Sequence, residues 1–382
     1  MNVRYFFSSP AGDVPVDDGL LSRPFLMNPM QEHPHLKLGD YFKAIERFVT
    51  GNSGEALLRI LGTVRQAPVS SSDIAEILIR SEKHGGLYHL SSVEILGPDV
   101  RHKFVVSTAV TESSKQWLHR EFQALQLLNQ SFRLPYIPEV FLLEELELHT
   151  PGGSSKLMLM LGQWFEDHHE WHLHRGDSGE PHWVIWDFKR GYRRAGDREI
   201  FEIYEQASLI LTLYYNVKST HQIYPWLHAA GDFVVKSADE IVDVKLTTVR
   251  GYEPLMVFLE EQDLNPVMAL ITFFLNLSIR MRLDRWEGVG EVAWAPDFSV
   301  RPTVQGFFRA LENMEKVGRY EPGGTGNFAA LLKTFRKDEL RRLSVPLLDF
   351  YRQESRETAS LVEKQLDSHC QTLWSVIQGL PG

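Results

Sequence analysis

Apolar residues recur along this chain with two different spacings, and the switch between them divides it. Between about 75 and 165 the spacing is two. "ILIRSEKHGG", "LYHLSSVEIL" and "HKFVVSTAV" are short β-rich runs parted by a Gly pair and by "GPDVR", the pattern of an antiparallel meander. "SSKQWLHREFQALQLLNQ" then changes to helical spacing, with Ser113 or Ser114 placed to cap it. After "LPYIPEVF" and "LEELELH", the turn "TPGGSS" leads into the strand-like "KLMLMLGQWF". The predicted order is three strands, a helix, two strands.

The flanks read differently. Residues 1 to about 35 are rich in Pro, Gly and Asp without periodicity and predict an extended arm. "GDYFKAIERFVT" and "GEALLRILGTVRQ" carry helical spacing on either side of Gly51-Asn52. From about 196 helices dominate: "DREIFEIYEQASLILTLYYNV", a greasy segment at 267–283, and segments near 303–316, 327–343 and 346–378. "VVKSADEIVDVKLTTV" alternates and predicts a short hairpin. The Gly-rich "EPGGTGNF" follows no strand, so it predicts an interhelical loop rather than a phosphate cradle. No solenoid period is visible.

Composition narrows the class. The 382 residues suffice for two or three lobes, with 43% hydrophobic and 24% charged residues, ordinary for a globular protein. A formal charge of −10 argues against a nucleic-acid or anionic-membrane partner. A single cysteine, Cys370, excludes an intramolecular disulfide and a Cys-based metal site. The N-terminus has no apolar run of signal-peptide length, and "VMALITFFLNLSI" is shorter than the roughly 20 residues of a membrane span. The expected location is cytoplasmic.

Glu121 is the most physical clue to chemistry. Trp117, Leu118, Ala124, Leu125 and Leu128 place it on the apolar face of its helix, where an unpaired carboxylate is costly. It either meets a buried cation or donors, or extends to the solvated rim. A five-stranded unit with one inserted helix, then a mostly helical unit, resembles the protein-kinase-like superfamily, particularly its aminoglycoside phosphotransferase and choline kinase branch. The resemblance covers roughly 75 to 350. It implies an α+β, bilobal kinase-like fold: an arm and helical extension over 1–74, an antiparallel-sheet N-lobe over 75–165, and a helical C-lobe over 166–382.

The resemblance also implies site residues. In such proteins the helix Glu pairs with a strand Lys that holds the ATP phosphates, but that slot here is Ser107. Lys103 shares its strand parity but lies four residues away, roughly 13 Å along a strand. Lys83 and, more weakly, His84 beside Gly85-Gly86 are alternative phosphate contacts, although two glycines also simply make a hairpin turn. The family's His-Gly-Asp loop matches Gly231-Asp232, with His228 displaced by Ala229 and Ala230. Ser237 stands where an Asn is expected, and Asp243 where the metal-binding Asp falls. Asp232 would then orient or deprotonate a hydroxyl of a small molecule or protein, while Asp243 and Ser237 held Mg²⁺ on ATP. Alternatively Asp232 is a turn residue, and the chain is a pseudokinase that binds nucleotide or scaffolds without turnover.

Three further features draw attention. In "FEDHHEWHLH", His168 and His172 are four apart, as on a metal-binding helix face, but the zincin pattern is absent because position 173 is Leu. This stretch is more simply read as the mouth of a cleft. Arg280, Arg282 and Arg285 lie beside Asp284 and Glu287. They predict a salt-bridged helix end, or less simply a phosphate clamp. Trp164, Trp171, Trp183 and Trp186 predict core, with stacking on a base or sugar as the alternative.

Overall fold

The computed structural model describes residues 2–9, 12–28, 31–85, 87–177, 179–187, 190–226, 231–238, 241–254, 265–320 and 323–380. The fold is α+β, with two compact units, Met1–Glu166 and Asp167–Gly382.

In the first unit the elements run β1 (Asn2–Phe7), β2 (Val14–Pro15), α1 (Asp18–Leu21), β3 (Pro24–Asn28), β4 (Gln31–Lys37), α2 (Leu38–Thr50) and α3 (Glu55–Arg65). Then come β5 (Glu76–His84), β6 (His89–Leu96), β7 (Arg101–Ala109), α4 (Glu112–Phe132), β8 (Val140–Thr150) and β9 (Gly153–Gln163). Seven strands form one mixed sheet in the order β2-β1-β5-β6-β7-β9-β8. It is mixed because β1 runs parallel to β5, from Asn2 opposite Glu76 to Phe7 opposite Ser81.

The residues expected to be a plain arm therefore contribute a strand. Its partner lies some 70 residues away, so no turn signal beside it announces the pairing. The apolar stripes of α2 (Tyr41, Phe42, Ile45, Phe48, Val49) and α3 (Leu57, Ile60, Leu61) pack on one sheet face, against Ile77, Ile79, Val93, Ile95, Phe104 and Val106. Alternation sends Arg80, Ser92, Glu94, Lys103 and Ser107 to the other face. Helix α4, capped by Thr111, whose hydroxyl accepts from Ser114 N, packs against β7, β8 and β9.

The second unit opens with strands rather than helix: β10 (His169–Arg175), β11 (Pro181–Asp187) and β12 (Gly191–Arg194) precede α5 (Asp197–Leu213). Next come β13 (His221–Ile223), β14 (Phe233–Ala238), β15 (Ile241–Leu246), β16 (Tyr252–Pro254), α6 (Pro266–Arg280), β17 (Leu283–Arg285) and β18 (Val292–Trp294). The chain ends with α7 (Val300–Lys316), α8 (Thr325–Thr334), α9 (Lys337–Ser344), α10 (Leu347–Glu354) and α11 (Arg356–Gln378). A five-stranded sheet runs β12-β11-β10-β14-β15. Helix α5 packs on it and on α7. Gln206 of α5 serves the edge of β15 as a neighbouring strand would, donating to Val242 O at 2.6 Å and accepting from Val244 N at 3.1 Å.

Two helices expected to be continuous are broken. Ser355 is extended (φ −160°, ψ 125°), and its hydroxyl accepts from Thr358 N, starting α11 afresh. Phe335 and Arg336 are extended between α8 and α9. Among the described residues no helix is long and apolar enough to cross a membrane.

Candidate functional site

The segment around Asp232 is built on a glycine. Gly231 has φ +74°, a backbone conformation that favours glycine, and a Cβ there would stand 2.8 Å from Cδ of Glu170, so that side chain would have to move aside. The two carbonyls that follow are pinned to the chain beyond β15. Thr247 Oγ1 donates to Gly231 O at 3.0 Å, and Thr247 N to Asp232 O at 2.7 Å. The Asp232 side chain is buried, 1% exposed, and its two oxygens accept from Nη1 and Nη2 of Arg250 at 2.5 Å each. This is a bidentate, charge-assisted pair in which both carboxylate oxygens face one guanidinium. A general base must instead bring an oxygen within about 3 Å of the proton it takes.

Asp243 has another environment. It stands on β15 opposite Lys236, and its side chain is 42% exposed. Its Oδ2 lies 3.2 Å from His168 Nε2, and its Oδ1 accepts from Lys245 Nζ at 2.9 Å. Ser237 sits one position beyond Lys236 and pairs with Val242, so alternation turns it to the opposite face of the hairpin. There its hydroxyl bonds Glu199. Burial pushes the Glu199 carboxyl up, but hydrogen bonds from Arg193 (2.6 and 2.8 Å) and Ser237 outweigh this and hold it below its ordinary range. Ser237 and Asp243 are thus not brought together, and the pair does not fit a shared Mg²⁺. Among the described residues no group of three or more His, Cys, Asp or Glu side chains is arranged to hold a metal ion.

In the first unit Glu121 is 2% exposed, on the face of α4 that carries Leu118, Leu125 and Leu128; it does not reach a solvated rim. Ser107 is buried in the middle of the sheet, opposite Leu90 on β6 and Met160 on β9. Lys103 pairs with Glu82 at 3.2 Å and stands 3.8 Å over the Trp164 ring. Lys83 is exposed near the end of β5, and Gly85 N donates to Tyr88 O at 2.9 Å. His228 and Gly86 lie outside the described residues, as does the side chain of His84.

Residues 169–175 of the His-rich stretch form strand β10, with His168 just before it, so His168 and His172 do not share the helix face that their spacing left open. The buried His172 ring tilts against Trp186 at 4.3 Å, its Nε2 lies 3.4 Å from Glu170 Oε2, and Gly288 packs on its face. Nearby, Asp284 is 1% exposed and accepts from Leu173 N (3.0 Å) and Arg285 N (2.7 Å). Burial pushes its carboxyl up to about 6, against the opposing pull of His172 and those two bonds.

Arg280 and Arg282 are salt-bridged, but to acids further along the chain rather than to their neighbours Asp284 and Glu287, and Arg285 Nη1 donates to Gly290 O at 2.8 Å. Arg280 meets Glu354 at 2.9 Å and donates to Trp226 O; Arg282 meets Asp297 at 2.7 Å. Trp171 is fully buried, Trp183 Nε1 donates to Tyr204 OH, and Trp186 Nε1 donates to His174 Nε2. Sequence reasoning missed Arg250, the partner that decides how Asp232 is used. The only trace was a lone cation before Gly251, which no spacing rule ties to an acid 18 residues earlier. No known family model matches the chain, and no curated protein does either.

Proposed function

We propose that this protein is a kinase-like module of the aminoglycoside phosphotransferase and choline kinase type that works by binding or scaffolding rather than by phosphoryl transfer. The observation that carries this reading is the Asp232–Arg250 pair, which takes up both oxygens of the residue the reaction would use as base. Ser107 in the lysine slot and the opposed faces of Ser237 and Asp243 support it. The kinase-like element of the proposal draws on the order of three strands, helix and two strands over residues 76–163.

The second reading is an ATP- and Mg²⁺-dependent phosphotransferase acting on a hydroxyl of a small molecule or protein. Burial of Glu121 favours it, because in kinase-like proteins that acid organises the lysine on the phosphates. A thermal-shift series with ATP and ADP, with and without Mg²⁺, separates the two, since a ligand of the folded state raises the melting temperature. The expected result is no Mg²⁺-dependent nucleotide shift. A shift with ATP and Mg²⁺ that vanishes in Asp243→Ala, together with release or transfer of phosphate from ATP, overturns the non-catalytic reading.

A further inference from the structure

Away from the residues above, the second unit carries an open groove of about 1020 Å³ between α7, α8 and the end of α11. Its floor is apolar: Phe308, Ala329, Val376 and Leu380. Phe308 is itself held by contacts to Phe274 and Phe307, so the floor is rigid. One wall is a stripe of α7 at helical spacing from Arg301 to Glu315, whose carboxylate accepts from Thr325 at 2.7 Å; Arg301 near one end and Glu312 near the other stand as its opposite charges. Among the described residues these two have no ion-pair or hydrogen-bond partner, whereas Arg309 between them already faces Glu205 at 3.5 Å. Eleven residues at 1.5 Å each put the two free charges about 16 Å apart, three helical turns.

We propose that this groove receives an amphipathic helix of a partner protein. Its apolar stripe lies on the Phe308 floor, an acidic side chain meets Arg301, and a basic one about three turns away meets Glu312. Three observations select this occupant. At about 1020 Å³ the groove lies at the upper limit of small-molecule pockets, and it is open. An apolar floor between charged ends is the geometry in which a helix is read through anchors at i, i+4 and i+7. The opposite signs at the two ends also fix the direction of the occupant. The inference does not depend on the nucleotide question.

The test uses the full chain and two fluorescein-labelled, stapled helical peptides of about 16 residues. Both carry a Leu stripe; one has Glu near its N-terminus and Lys eleven residues later, and the other has these two exchanged. Fluorescence anisotropy is expected to show the wild-type protein preferring one peptide by about tenfold. The Arg301→Glu, Glu312→Lys double variant is expected to prefer the other. Reversal is a gained property, which a misfolded variant cannot imitate. Equal binding of both peptides, no binding of either, or a preference the double variant keeps overturns the proposal. So does self-association in sedimentation that Arg301→Glu abolishes, which assigns the groove to a second copy of the chain.

Discussion

Arg80, Glu82, Glu94 and Lys103 occupy one face of the seven-stranded sheet and share partners across adjacent strands. Glu94 meets both Arg80 (2.8 Å) and Arg101 (3.0 Å), Arg80 also meets Asp13, and Lys103 meets Glu82 and the Trp164 ring. In the second unit Asp232, Arg280, Arg282 and Asp284 are all under 5% exposed; the ion-pair partners of the first three come from other segments of the chain, and Asp284 accepts from the backbone N–H groups of Leu173 and Arg285. Charges on the ladder share partners, so deleting one leaves its neighbours another charge to face, even where, as at Glu94, they are buried. Charges in the second unit are desolvated, so removing a partner leaves a buried ion uncompensated. The same residue types therefore contribute differently to stability in the two halves.

The largest expected effect comes from Arg250→Ala, which leaves the Asp232 carboxylate buried without its guanidinium. It is expected to cost about 3–5 kcal/mol in urea unfolding. Adding Asp232→Asn is expected to restore part of that loss. A single-variant loss below about 1 kcal/mol would erase the contrast between the two halves.

A smaller effect is expected from pH. Desolvation raises the Asp284 carboxyl from 3.8 to about 6, so the folded state takes up this proton before the unfolded one. Its stabilising contribution is fully present below about pH 4 and is lost as pH rises through about 6, by on the order of 2–3 kcal/mol. Unfolding of wild type and Asp284→Asn, compared from pH 4 to pH 7, is expected to show the variant gaining on wild type across that window. A constant difference would remove Asp284 from the set of strained charges.

The smallest effect belongs to the ladder. Lys103→Ala, which removes one pair to Glu82 and one ring contact, is expected to change stability by about 0–1 kcal/mol. A loss as large as that of Arg250→Ala would show that the ladder is as desolvated as the second unit's pairs.

The same contrast bears on how much was legible beforehand. Alternation located β5, β6 and β7 and the hairpin of β14 and β15, because a sheet with one apolar face imposes period two on the local sequence. Helical spacing found α2, α3, α5 and α6 and placed Glu121 inward, for the corresponding reason at period 3.6. The candidate site was less legible. Asp232 and Asp243 were singled out from sequence order, yet that order carries no record of Arg250, His168 or Lys245, which set what the two acids contact. The spacing by four of His168 and His172, which left a metal-binding helix face open as an alternative, arises here from a residue just before β10 and one within it.

By itself the sequence determined which stretches bury one face, where that face lies, and which polar residues fall on it. Those follow from local periodicity and side-chain identity, which need no partner. Only the tertiary structure decided that β1 joins β5 in parallel, that Ser237 bonds Glu199 rather than joining Asp243, and that Arg250 closes over Asp232. Each depends on segments distant along the chain, and the energy of pairing two charges is set by their distance and desolvation, neither of which local sequence encodes.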